Sequence, residues 1–79
     1  MNLTDITTTH NGEQVVDGIG FCKAVAKSAS IDPFRAFLLV GKAAQEMGAE
    51  VLCVGPKGDQ SAYRLTAAEQ IANSVMAVA

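Results

Sequence analysis

The sequence predicts a small α+β domain in which two β-hairpins form an antiparallel sheet and two to three helices pack on one face, in the order ββααββα. Three observations lead to this prediction. An Asn-Gly pair follows a segment rich in β-branched residues, an Asp-Pro pair begins a long apolar segment, and a second hairpin pattern leads into an amphipathic C-terminal segment. The chain has 79 residues, which we expect to form a single domain, 1–79.

The first hairpin is predicted from residues 3–16. Residues 3–9 read LTDITTT, and their β-branched side chains favour a strand. Asn11-Gly12 suits a type I′ turn, which requires positive φ at both central residues. Residues 13–16 would then form the return strand.

Residues 17–30 fit two interpretations. Ile19, Phe21 and Val25 alternate with other residues as in a strand, whereas the apolar residues at 22, 25, 26 and 29 recur at helical spacing. Gly18 and Gly20 oppose a helix near the start of the segment. We predict a strand to about Ile19 and a helix from about Phe21, and a strand throughout remains the alternative.

The central helix has the clearest end signals. Asp32 can cap the first amides, Pro33 is tolerated at the first helical position, and Gly48 follows Met47 where a left-handed glycine ends many helices. Apolar residues surround most of this segment, and only four residues mark a polar strip: Arg35, Lys42, Gln45 and Glu46. A helix this apolar either forms the core or is partly covered by another chain.

The second hairpin and last helix follow a similar pattern. Residues 50–55 read EVLCVG and predict a strand of buried type, residues 56–59 a turn, and residues 61–65 the return strand. Thr66 and Glu69 have the spacing of a capping box, in which each side chain bonds the other residue's amide. An apolar stripe continues behind it: Ala68, Ile71, Ala72, Val75 and Val78.

A shift of 46 positions aligns parts of the two halves. It places Gly12 on Gly58 and Gln14 on Gln60, and it aligns the apolar residues Val25 and Ile71. This indicates a weak ββα pseudo-repeat around the central helix, with chance similarity as the alternative.

The amino-acid composition indicates whether the chain folds and in which compartment it is expected. Hydrophobic residues make up 49% and charged residues 18%, which argues against disorder and predicts apolar surface that a second copy or a partner covers. No run of about 18 apolar residues predicts a membrane span, and the N-terminal residues do not resemble a signal peptide. We therefore expect a cytoplasmic protein that makes no membrane contact and keeps Cys22 and Cys53 reduced.

No pattern indicates catalysis or a bound cofactor. His10 is the single histidine, and the two cysteines have no metal-ligand spacing. Residues 55–58 read GPKG after a predicted strand but lack the spacing of a phosphate-binding loop. We expect a protein that is not an enzyme and takes neither a cofactor nor a metal.

Residues 24–42, AVAKSASIDPFRAFLLVGK, loosely resemble the helix-turn-helix of small phage-type repressors, and residues 51–65 resemble the strand pair that follows in Cro-like repressors. The resemblance implies a DNA-binding regulator that reads bases with residues 33–40. The sequence departs from the pattern because the turn glycine is missing and the presumed reading face offers Phe34, Phe37 and Leu38 with only Arg35. Six basic residues against eight acidic ones also make nucleic acid an unexpected partner.

The remaining hypothesis is a non-enzymatic protein-binding module, an inhibitor or adaptor that acts by direct protein contact. In size and charge the chain resembles phage- and plasmid-encoded inhibitors, anti-CRISPR proteins among them. This resemblance of class implies a protein partner, and a homodimer is a further option. Tyr63 and Arg64 are the preferred anchors, because aromatic and Arg side chains dominate many interfaces. The candidate contact residues are Glu13, Asp17, Arg35, Lys42, Glu46, Asp59, Tyr63 and Arg64.

Overall fold

A computed structural model, which describes residues 2–79, confirms the predicted α+β fold and its ββααββα order. The four strands form one antiparallel sheet in the order β1-β2-β4-β3, so the second strand of each hairpin lies at the centre. The strands are β1 (Thr7–His10), β2 (Glu13–Asp17), β3 (Leu52–Val54) and β4 (Gln60–Arg64). The helices are α1 (Gly18–Ala29), α2 (Pro33–Met47) and α3 (Leu65–Val78).

The first hairpin forms as predicted, except at its start. Asn11 and Gly12 have φ of 52° and 80°, the positive values that the turn requires. Strand β1 begins only at Thr7, because Thr4–Ile6 forms a 3₁₀ turn in place of the predicted strand. The Thr7 hydroxyl donates to the Leu3 carbonyl at 2.6 Å, a local bond that favours this turn over an extended chain.

Helix α1 resolves the ambiguous segment in favour of a helix, and it begins earlier than predicted. Strand β2 ends at Asp17, whose carboxylate accepts a hydrogen bond from the amide of Gly20 at 2.8 Å and caps the helix. A Cβ at Gly18 would lie 3.1 Å from the carbonyl oxygen of Ser61. The glycine that seemed to oppose a helix therefore allows α1 to begin close against β4.

Helix α2 confirms the predicted bounds and caps. The Asp32 carboxylate accepts from the Phe34 amide at 2.7 Å, Pro33 takes the first helical position, and Gly48 ends the helix with φ of 67°. Helix α2 packs mainly on α1 and α3, whereas α1 and α3 both contact the sheet. One side of α2 is consequently left at the outer surface of the molecule.

Two details of the second half differ from prediction. Strand β3 is a three-residue edge strand with Cys53 exposed, not a strand of buried type, because β4 is its only neighbour in the sheet. The capping box at Thr66 does not form: α3 follows β4 directly at Leu65, and no side chain caps its first amides. Thr66 already lies inside the helix, so its hydroxyl is past the cap position.

The core lies between the sheet and the helices. Val16 of β2 lies opposite Tyr63 of β4 at the centre of the sheet, and Phe21 of α1 is fully buried beside them. On the opposite face of the sheet Val15 and Ala62 are also buried. The other large, fully buried side chains are Ile71, Val25, Val40 and Val75.

Candidate functional site

Large apolar side chains cluster on the outer side of α2 and beside it. Phe34, Phe37 and Leu38 are 69%, 61% and 55% exposed. Ile19 of α1 and Val51, just before β3, are also exposed and border the same cleft as the two phenylalanines. These five residues, Ile19, Phe34, Phe37, Leu38 and Val51, are called the α2 patch below.

A cleft of about 470 Å³ opens within this patch, between α1, α2 and the β3–β4 edge of the sheet. Cys22, Val40 and Tyr63 contribute to its lining, and among residues 2–79 Lys23 is the one charged residue that borders it. Clefts that bind a ligand or an anchor side chain are commonly of this apolar kind.

Helix α2 forms this surface because it carries two apolar stripes. The inward stripe consists of small residues, chiefly Ala36, Ala43 and Ala44, which are buried against the other helices. Phe34 and Phe37, with Leu38, recur at helical spacing on the other side and face solvent. A free-standing domain usually buries its largest apolar side chains first, so this helix has the reverse of the usual arrangement.

The exposed area of the patch is large for a chain of this size. From the exposed fractions and ordinary whole-residue areas, the patch presents about 600 Å² to solvent, the upper end of what monomeric proteins show. Patches of this extent commonly mark surfaces of interaction.

Tyr63 lines the cleft from the sheet side. Its ring packs edge-on against Phe21, with ring centroids 6.1 Å apart and an interplanar angle of 68°. Burial raises the pKa of the Tyr63 hydroxyl, and the neighbouring Cys22 thiol raises it further. Tyr63 is therefore a neutral, half-buried wall of the cleft at ordinary pH.

The thiol of Cys22 stays in its protonated form. Burial raises the pKa of its thiol, and the charge of Asp17 adds to that effect. A raised pKa keeps the thiol protonated at neutral pH, and the thiolate is the reactive form.

Arg64 lies on the other face of the sheet. Its Nε donates to Glu13 Oε2 at 2.7 Å and its guanidinium also donates to Glu50 Oε2 at 2.6 Å. The hydrogen bond to Glu50, followed by that to Glu13, raises the pKa of Arg64. Because consecutive strand residues point to opposite faces, Tyr63 and Arg64 do not share one contact surface.

The other predicted contact residues are also divided among surfaces. Asp17 caps α1, and Asp59 lies in the turn between β3 and β4. Glu13 lies with Arg64, its ion-pair partner. Arg35, Lys42 and Glu46 lie together, all exposed on α2. Their role in binding stays a prediction, and they border the α2 patch.

The apolar patch itself was missing from the predicted contact residues. The available signal was the excess of apolar residues around α2, which indicated a covering chain without showing which stripe faces outward. Apart from Tyr63, which lines the cleft, the predicted contacts are all charged residues, whereas large apolar residues dominate the exposed side of this helix.

Residues 2–79 offer little for metal chemistry. Within that range no group of three or more His, Cys, Asp or Glu side chains could hold a metal ion. His10 lies beside the first hairpin turn, where the Asn11 side-chain amide is 3.3 Å from its Nε2. None of the helices in the same range has the length and apolarity that crossing a membrane requires.

Comparison with known proteins gives no relative: no protein-family model, curated protein or solved structure matches the chain.

Proposed function

We propose that the chain is a non-enzymatic protein-binding module, of the inhibitor or adaptor class, that acts by direct contact through the α2 patch. The observation that supports this most is the orientation of α2. Phe34 and Phe37 are each more than 60% exposed, while alanines fill much of the buried side of the same helix. A partner that covers the patch would remove these rings from water, which is favourable in proportion to the area covered.

The cleft gives this surface a specific shape. A side chain of the partner can enter the cleft, whose lining includes Ile19, Phe37 and Tyr63. Interfaces obtain most of their binding energy from a few anchors in such desolvated pockets. Arg35, Lys42 and Glu46 would contribute to the polar rim, where charges affect association rate and specificity more than affinity.

The test compares two exposed apolar positions. Phe37→Asp introduces a charge into the patch, and Val78→Asp introduces the same charge at the end of α3, at a residue 67% exposed. Proteins captured by the wild-type chain are identified by mass spectrometry, and the affinity of each purified candidate is then measured. We expect Phe37→Asp to weaken binding at least about 100-fold, the effect of losing a strong anchor, and Val78→Asp to change it less than about twofold. Equal binding by both variants would contradict the proposal.

A DNA-binding regulator that uses residues 24–42 is the alternative proposal. The three-residue connection between α1 and α2, with Ser30 in a left-handed conformation (φ of 56°), is compatible with a helix-turn-helix. The exposed side chains of α2 favour the protein-binding proposal, because Phe34, Phe37 and Leu38 cannot read base edges by hydrogen bonds.

A further inference from the structure

Gly41 lies in the middle of α2, and no contact within residues 2–79 requires a glycine at this position. Apart from the adjacent residues and backbone of its own helix, a Cβ at this position would meet no atom of residues 2–79 within 4 Å, and the residue is exposed. Glycine weakens a helix interior relative to alanine. A glycine at such a position is useful where another backbone must approach closely, and within residues 2–79 none does.

Gly41 also completes a seam on the outer side of α2. Phe34, Phe37, Leu38 and Gly41 stand at positions i, i+3, i+4 and i+7, the spacing with which one helix packs along another. The missing side chain at Gly41, with the two phenylalanine rings on the N-terminal side of it, leaves a gap that fits a helix crossing α2 at this residue.

We propose that the occupant of this surface is a second copy of the chain, with α2 packed antiparallel on α2 of the second copy and the crossing at Gly41. The inference rests on the contact surface proposed above and names its partner. A twofold interface must be self-complementary, since the same patch serves both copies. The charged residues on the flank of α2, the sizes of its exposed side chains and the area of the patch meet that condition.

The charges on the flank of α2 favour the antiparallel arrangement. Arg35 and Glu46 are 11 positions apart, close to three helical turns, so they lie on the same side of the helix. In an antiparallel pair centred on Gly41, Arg35 of each copy lies beside Glu46 of the other. Lys42 flanks the crossing and has Glu46 of its own helix one turn further along.

Side-chain sizes along the seam are complementary as well. Phe34 lies seven positions before Gly41 and Gly48 seven positions after it, so each ring would face the glycine that ends the other helix. The five residues of the patch expose about 600 Å² per copy, against about 800 Å² of total surface per partner in a stable interface. The polar flank of α2 can supply the remainder.

Analytical ultracentrifugation of the full chain from about 1 to 200 µM, a range that spans micromolar affinity, tests the inference with Gly41→Gln. We expect a wild-type dimer whose Kd rises at least about tenfold in Gly41→Gln, because a side chain would separate the two helices. The variant should fold normally by circular dichroism, since no other element within residues 2–79 lies within 4 Å of its Cβ. Ser28→Gln, at an exposed position of α1, is the matched control and should leave the Kd unchanged.

Charge reversal tests the antiparallel arrangement separately. Arg35→Glu and Glu46→Arg should each weaken the dimer, and the two changes in the same chain should restore it. A dimer that is insensitive to Gly41→Gln, or a double variant that is no better than the singles, would overturn the inference.

The two proposals fail in different ways. A wild-type chain that stays monomeric throughout overturns the second copy as partner, and binding of another protein that Phe37→Asp abolishes would still support the proposed function. The opposite result is a dimer that responds to the Gly41, Arg35 and Glu46 variants as predicted, while captured proteins bind Phe37→Asp as well as wild type. That result supports this inference and overturns the inhibitor or adaptor role of the patch.

Discussion

Tyr63 of β4 packs edge-on against Phe21 of α1, with ring centroids 6.1 Å apart. The contact joins the second hairpin to the helix that follows the first hairpin, so it links the two halves of the chain through one core. Phe21 is fully buried, whereas Phe37 of α2 is mostly exposed. The same residue type therefore has opposite roles at these two positions.

Replacement of phenylalanine by leucine should therefore cost more stability at position 21 than at position 37. Phe21→Leu removes ring atoms from the core and should lower the free energy of unfolding by about 1–2 kcal/mol. Phe37→Leu, measured on the monomeric chain, should change it by less than about 0.5 kcal/mol. Urea denaturation of both variants checks this, and equal losses would show that Phe37 is packed in the monomer.

Removal of a capping side chain should cost stability at α2 but not at α3. Asp32→Ala removes the carboxylate that accepts from the Phe34 amide at 2.7 Å and should cost about 1 kcal/mol of stability. Thr66→Ala should cost less than about 0.5 kcal/mol, since α3 has no side-chain cap. Thermal or urea unfolding of both variants measures these losses. A loss of stability in Thr66→Ala as large as that in Asp32→Ala would mean that the capping box forms.

Alkaline pH should destabilise the fold through Cys22 and Tyr63. Both groups have their pKa raised in the folded chain, from ordinary values of 9.0 and 10.0. The unfolded chain then loses these protons first, so stability falls as pH rises above about 9 and continues to fall through the raised values.

Tyr63→Phe tests this pH dependence. It keeps the ring that contacts Phe21 and removes the ionisable hydroxyl, so we expect a shallower loss of stability above pH 10.0, the ordinary tyrosine pKa. Chemical denaturation at a series of pH values measures the slope. An unchanged slope in Tyr63→Phe would assign the alkaline loss to other groups.

The protein-binding proposal also predicts weak or absent binding to DNA. Arg64, one of six basic residues, is paired with Glu13 and Glu50, and the exposed side of α2 is largely apolar. Fluorescence anisotropy with a random duplex should show no binding from about 50 to 200 mM salt. Binding that collapses steeply over this range would indicate several phosphate contacts and would favour the repressor alternative.

Local signals in the sequence accounted for much of the fold. Asn11-Gly12 predicted the first turn, and Asp32 and Gly48 predicted the ends of α2, because each signal acts through bonds between near neighbours. The start of α1 could not be placed, because it depends on the close approach of Gly18 to Ser61, 43 positions further along. Nor could the edge position of β3, which depends on the order of strands in the sheet.

The candidate site was harder to predict for a related reason. Helix α2 carries one stripe of small residues and one of large apolar residues, and hydrophobicity alone would bury the larger stripe. The structure buries Ala36 and Val40 and exposes Phe34 and Phe37. Which stripe faces inward is set by the close packing of α2 on α1 and α3, which periodicity does not reveal.

The most direct test of the central claim is site-specific photo-crosslinking at Leu38, in the patch, in the cells that express the chain. The control position is Thr8, exposed on β1 on the sheet face away from the helices. We expect a discrete protein adduct from position 38, of twice the chain's mass if the occupant is a second copy, and none of comparable yield from position 8. No adduct at position 38, or equal adducts at both positions, would contradict the assignment of the α2 patch as the contact surface.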